Sequence, residues 1–343
     1  MEDFPHAPQA WNSVPSAGGS PLASRSVSGT TTMGQMLVAA PVRWDEACFS
    51  VPAVRSLSAS GLAVGVLCED RQVPFWERIP GIRVTGFPPK PDVKKLAAVL
   101  SGEWSGALAW EPGTAADIIA RAQIAKRIGP ETKALRKVVT HPVNIAKEPG
   151  PVEHRVRFYL SLVEKLGVIT SRPEFFVPAE RGAPPVDGNV LLCPDSDLGV
   201  TYEWPLERWV ELAGALREEG AKLTIAGLSG TRGKGRLLAE KLGESGRFLE
   251  ARPLAGALDL FAAHELVIAA ESSLPHVAAF AGATCVTLFG PGDPASRRPL
   301  GRQHGIARRH VECAPCFLEK CPMDLRCQNE LDVARVMGVV AAL

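Results

Sequence analysis

The stretch "AAESSLPHVAAFAGATCVTLFGPGDP", residues 269–294, decides the fold. Apolar residues run up to Ala270. Three polar ones follow, Glu271, Ser272 and Ser273, and a second apolar run then closes at Gly282. The pattern predicts a buried strand, a polar elbow and a helix. Pro275 suits the first helical turn, where its missing N–H costs nothing, and glycine suits the helix end. "ATCVTLFGP" reads as the next strand, closed by a tight turn at Gly290. The elbow has two readings. One is an ordinary capped helix with a solvated His276. The other is an anion site, in which free N–H groups and the helix dipole hold a phosphate, His276 donates to it, and the Gly290 turn brings backbone close.

The strand–helix rhythm extends in both directions. Residues 36–42 read as an apolar strand, 45–61 as a helix ended by Gly61, 62–69 as a strand, 91–102 as a helix and 104–111 as a strand, with 114–129 continuing the alternation. Val156, Leu160, Val163 and Leu166 form one stripe of an amphipathic helix. Residues 171–188 break the rhythm with four prolines and two glycines and read as a linker. After it come strands at 189–195, 221–228, 266–273 and 283–291, with helices at 205–220, 235–244, 257–265 and 274–282, and a closing helix at 330–343. Strands alternating with helices imply parallel sheets covered on both faces. The expected fold is α/β with two Rossmann-like domains facing a cleft, spanning 33–170 and 189–343. Ligands in such sheets sit beyond the carboxyl ends of the strands.

Composition narrows the function. Lys and Arg number 38 against 37 Asp and Glu, a net charge of +1, which argues against nucleic acid as a partner. No run approaches the roughly 18 apolar residues of a membrane span. Residues 1–32, rich in Ser, Pro, Gly and Thr and without apolar periodicity, read as a disordered extension. They begin acidic and lack the apolar core of a signal peptide, so the cytoplasm is the expected location. Cys48, Cys68, Cys193 and Cys285 lie singly in apolar runs and read as core residues. Cys313, Cys316, Cys321 and Cys327 cluster as C-x2-C-x4-C-x5-C. They read as reduced thiols in a compact loop, with a zinc tetrahedron as the alternative.

The opening stretch resembles a pattern of glycosyltransferase family 9, the ADP-heptose:lipopolysaccharide heptosyltransferases: D-S-G-P-M-H-L-A-A-A-L-G-x-P-x-V-x-L-F-G-P-T-D-P. Three further stretches are similar to the family in order and spacing: "APVRWDEACFSVPAVRSL", "CPDSDLGVTYEWPLERWVELAGAL" and "CAPCFLEKCPMDLRC". The resemblance implies a GT-B-type fold and inverting, metal-independent sugar transfer. The donor, an ADP-sugar and no separate cofactor, would be held by the second domain. A lipid-linked glycan acceptor would be held by the first, at the inner face of a membrane.

Carried over residue by residue, the resemblance assigns Glu46 as the base, or Asp45 if the turn is shifted by one. Without it, the two acids read as ordinary first-turn helix residues. Tyr202, Glu271, Ser272, Ser273, His276, Gly290 and Asp293 fall on the donor side. Arg136 and Lys137 fall where the family holds its acidic acceptor. The chain departs from the pattern at several of these positions. Tyr202 stands where the family has the lysine that neutralises the diphosphate, Glu271 replaces an aspartate and Ser273 a glycine. Arg43, Arg232 and Lys234 are the expected substitute cations. Two further readings follow from the departures: a weakly active or inactive relative that binds a sugar nucleotide or glycan, or a transferase using another nucleotide sugar. The sugar, the acceptor and the oligomeric state are left open.

Overall fold

The computed structural model describes residues 34–146, 153–181, 183–228, 233–250 and 257–343. The expected extension at 1–32 and the candidate cation Arg232 lie outside the described residues. The first half runs β1 (Gln35–Ala39), α1 (Trp44–Ala59), β2 (Ala63–Glu69), α2 (Val73–Trp76), β3 (Ile82–Phe87), α3 (Val93–Leu100), β4 (Gly106–Ala109), α4 (Thr114–Arg121), β5 (Lys126–Pro130), β6 (His141–Val143) and α5 (Val156–Glu164). The second runs β7 (Val186–Cys193), α6 (Leu206–Glu218), β8 (Lys222–Gly227), α7 (Lys234–Leu242), β9 (Arg247–Glu250), α8 (Leu258–Ala262), β10 (His264–Ala270), α9 (Leu274–Phe280), β11 (Thr284–Phe289), α10 (Pro294–Arg297), β12 (Gly305–Arg308), α11 (Arg326–Asn329) and α12 (Val333–Val340).

These strands build two six-stranded sheets with orders β3-β2-β1-β4-β5-β6 and β12-β11-β10-β7-β8-β9. Every pairing is parallel. Both are the doubly wound order in which the chain starts centrally, winds to one edge, then returns to wind to the other. The expected α/β fold with two Rossmann-like sheets is therefore what the chain forms. The order places one switch point between β1 and β4 and another between β7 and β10, and in such sheets ligands bind beyond the strands' carboxyl ends at these points. The central strands are apolar because helices cover both their faces: Leu37 and Val38 of β1 are fully buried, as are Val267 and Ile268 of β10.

α1 is buried almost all round, because it packs on α5, which ends the first half, and on α9 of the second. Its apolar residues join one continuous core that includes Val38 and Phe49 from the first half and Leu191, Val267 and Val277 from the second. The segment expected to be a linker is pinned to that core. Residues Pro173–Phe176 form a 3-10 turn with Phe175 buried. Arg55 of α1 donates to the carbonyls of Phe175 and Val177, and the Ala179 N–H donates to the Phe280 carbonyl at 2.7 Å. The stretch 114–129 divides into α4 and β5, with Gln123 in the left-handed region (φ 55°) between them. Among the described residues no helix is long and apolar enough to cross a membrane.

Candidate functional site

The elbow after β10 is wired to the loop after β7, its neighbour at the second switch point. The Ser196 hydroxyl donates to the Glu271 carbonyl at 2.6 Å, and the Ser273 N–H donates to Asp197 Oδ1 at 2.8 Å. Ser272 Oγ donates to the Ala270 carbonyl and accepts from the Leu274 N–H at 3.2 Å. Two N–H groups that the sequence offers to a phosphate are thus engaged within the chain, one of them by a carboxylate.

Glu271 is buried, and its carboxyl accepts from the backbone N–H groups of Gly292, at 3.1 Å, and Gly290. A Cβ on Gly292 would lie 1.7 Å from Glu271 Oε1, so only glycine lets the turn close over this carboxyl. Burial pushes the carboxyl up to about 8, against the pull of the two N–H groups and Arg297. His276 is buried rather than solvated. Its ring meets the edge of Phe49 at 4.8 Å, and Phe49 meets His154 at 5.1 Å. Among the described residues nothing bonds its Nδ1. Burial pushes His276 down to about 3, although Asp45 favours its charged form, so the ring is neutral.

Gly290 is packed against Gln328, where a Cβ would lie 2.2 Å from the amide nitrogen. Asp293 caps α10, accepting from the Ala295 N–H at 3.0 Å. Tyr202 is buried, and burial followed by the nearby Glu271 pushes its hydroxyl up to about 12. Lys234 is tied to the Trp204 carbonyl at 2.8 Å and lies 3.5 Å from Glu203.

At the first switch point stands a charged cage. Asp45 and Glu46, in the first turn of α1, are only 3% and 5% exposed. Arg43 forks onto Asp45 at 3.0 and 2.7 Å. Arg155 Nε lies 3.1 and 3.0 Å from the two oxygens of Glu46, and Tyr159 donates to the same carboxylate. Arg297, the last residue of α10, reaches from the second half to Asp45 at 3.1 Å and Glu46 at 3.3 Å. Burial works against the charge of Asp45, yet Arg43 and the other cations hold its carboxyl below the ordinary range.

The loops after β1 and β10, with the turn after β11, therefore converge. Arg297 bridges Asp45 and Glu46, and its charge is felt by Glu271, His276 and Tyr202. Arg136 and Lys137 stand apart, exposed in the turns between β5 and β6, with no hydrogen bond or ion pair to this cluster. Cys313, Cys316 and Cys321 are partly exposed and Cys327 is buried; all four are free thiols. Among the described residues no group of His, Cys, Asp or Glu is arranged to hold a metal ion.

Sequence reasoning missed Arg155, Arg297, Asp197 and Glu111. Glu111 follows β4, and one of its oxygens accepts the Val42 N–H at 3.1 Å, joining the loops on either side of the first switch point. The two arginines carried no signal, since each is one of many in the chain and only the fold brings them to α1. Asp197 lies inside a quoted motif and was open to nomination. Glu111 was also findable, as an acid at the carboxyl end of the strand predicted at 104–111.

Residues 168–326 match the family model described as Glycosyltransferase family 9 (heptosyltransferase). Among curated proteins the chain is similar to Lipopolysaccharide heptosyltransferase 1 of Pseudomonas aeruginosa, 29% identical over 161 residues, which is 47% of this chain and 44% of that protein. The match thus spans less than half the length of that relative. Among solved structures it is similar to E. coli ADP-heptose lps heptosyltransferase II, with TM-score 0.72 and 20% identity over 90% of this chain and 98% of the other. It is also similar to E. coli heptosyltransferase WaaC with ADP, with TM-score 0.70 and 15% identity over 90% and 99% of the two chains.

Proposed function

We propose that the chain is a member of glycosyltransferase family 9, whose model matches residues 168–326, and that it transfers a sugar, heptose first among the candidates, from an ADP-sugar to a lipopolysaccharide-type glycolipid. In this reading transfer is inverting and metal-independent, as the family resemblance implies. Residues 189–343 hold the donor and residues 33–170 the acceptor. The enzyme works in the cytoplasm, at the inner membrane face. A similar fold has been solved with ADP, which supports that nucleotide as the first to test.

The observation that carries the reading is Arg297. Tyr202 brings no charge to the place where the family pattern has lysine, and Lys234 and Arg43 are engaged by Glu203, Trp204 and Asp45. Arg297 also bonds Asp45 and Glu46, but its charge is felt at Tyr202, Glu271 and His276, which puts it in a position to meet the charge that develops on the diphosphate. Ser272, Ser273 and His276 line the donor side with Glu271, Gly290 and Asp293. Arg136 and Lys137 are proposed to meet an acidic acceptor, and reversing their charge should weaken acceptor binding alone.

The test is calorimetric titration of ADP, UDP and GDP into the full chain. Selective ADP binding, weakened at least tenfold in Arg297→Ala, supports the donor site, and binding of none of the three overturns it. A second reading, a relative that binds a sugar nucleotide without turning it over, is favoured by the cage itself, since both motif carboxylates are occupied by arginines. ADP-sugar binding with no ADP release in the presence of acceptor would select it, and in such a decayed site Tyr202→Lys would raise turnover.

A further inference from the structure

We propose that Glu111 is the proton acceptor for the attacking sugar hydroxyl, an inference that rests on the transfer reading above. A general base needs an oxygen that the hydroxyl can reach and a lone pair not already committed. Neither motif carboxylate offers this. Asp45 is buried and accepts from Arg43 and Arg297. Glu46 is buried and accepts from Arg155, Arg297 and Tyr159. Each of their four oxygens already accepts from an arginine or from Tyr159, so none is open to an incoming hydroxyl.

Glu111 differs on each count. It lies two residues past the carboxyl end of β4, across the first switch point from Arg43 and from the first turn of α1, which carries Asp45 and Glu46. The Val42 N–H fixes one of its oxygens at 3.1 Å, and the other accepts no hydrogen bond from any described residue. The side chain is partly exposed, so a hydroxyl can approach the open oxygen. The charged groups that face it are Glu46, Arg155 and Arg43. Burial, with Glu46 adding to it, outweighs the Val42 bond and the two arginines and raises its carboxyl above the ordinary range, toward the range of a useful base.

The step balances as follows. The acceptor O–H proton passes to the open oxygen of Glu111. The acceptor oxygen's electron pair forms the bond to the anomeric carbon. The bond from that carbon to the diphosphate breaks, and its pair leaves with ADP, whose charge Arg297 meets.

The experiment compares Glu111→Gln with Glu46→Gln in transfer from ADP-heptose to a lipopolysaccharide-core acceptor, with ADP affinity measured on each. Glutamine keeps an acceptor for Val42, so the fold and the ADP affinity should stay within twofold of wild type. Expected is a fall in kcat of about 100-fold or more, with donor KM unchanged and the acidic limb of the kcat–pH profile lost. Glu111→Asp should recover part of the rate. Full kcat and an intact acidic limb in Glu111→Gln, with both lost in Glu46→Gln, would overturn the role of Glu111 and leave the transfer reading standing. No transfer by the wild-type chain across ADP-, UDP- and GDP-sugars would overturn that reading, and the role of Glu111 with it.

Discussion

Arg297 Nη2 lies 3.3 Å from Glu46 Oε1, a contact between α10 of one sheet's half and α1 of the other's. The same guanidinium bonds Asp45 at 3.1 Å. Removing one partner of a buried ion pair typically costs about 3–5 kcal/mol. Here Arg43, Arg155 and Tyr159 remain on the two carboxylates and Arg297 is partly exposed, so Arg297→Ala is expected to cost about 1–3 kcal/mol in urea unfolding. A loss near zero would mean that Arg297 is not held by the cage.

Glu271 gives the stability a downward slope between about pH 4.5 and 8. Burial raises its carboxyl to about 8 from an ordinary 4.5, so between these values the folded protein keeps a proton that the unfolded chain has released. Its contribution is whole below about 4.5 and declines as pH rises through about 8. Glu271→Gln cannot ionise yet still accepts from Gly290 and Gly292. It should flatten this slope and be more stable than wild type at pH 8.5, by an amount on the order of a few kcal/mol. Denaturation midpoints at pH 5, 7 and 8.5 measure it, and parallel curves for the two proteins would refute it.

His276 acts on the acid side with the opposite sign. Its ring is lowered to about 3 from an ordinary 6.5, so in that window the unfolded chain binds a proton that the folded protein refuses. The stability it supports is present above about 6.5 and is lost as pH falls toward about 3. Asp45, held below 3.8, adds a loss of the same sign at still lower pH. His276→Gln should lower stability at pH 7 through poorer packing on Phe49, and also reduce the slope between pH 4 and 6. An unchanged slope would place the titrating group elsewhere.

The sequence made the central strands legible because both their faces are buried, and the elbow legible because its residues are contiguous. The edge strands β3, β9 and β12 read "IRVTGF", "RFLE" and "GIAR", mixed in polarity, since an edge is covered less completely and shows no apolar run. The cage was illegible for another reason. Glu46 is 109 residues from Arg155 and 251 from Arg297, so only the winding of two sheets around α1 brings the three together. The motif named the acids and was silent on the bases that neutralise them.

Asp197 provides the last test. Its carboxylate accepts the Ser273 N–H at the start of α9, where the sequence leads one to expect a phosphate. A donor diphosphate at the elbow would compete with that carboxylate for the N–H and would feel its charge. Asp197→Ala removes both obstacles. It also removes a cap-like bond, whose loss typically costs about 1 kcal/mol. The variant should therefore unfold at lower urea while binding ADP more tightly, by about three- to tenfold, a gain on the order of 1 kcal/mol. Stability and affinity moving in opposite directions is the signature of a side chain that stands in a ligand's place. If both fall together, Asp197 only shapes the loop, and the diphosphate does not bind at the Ser273 N–H.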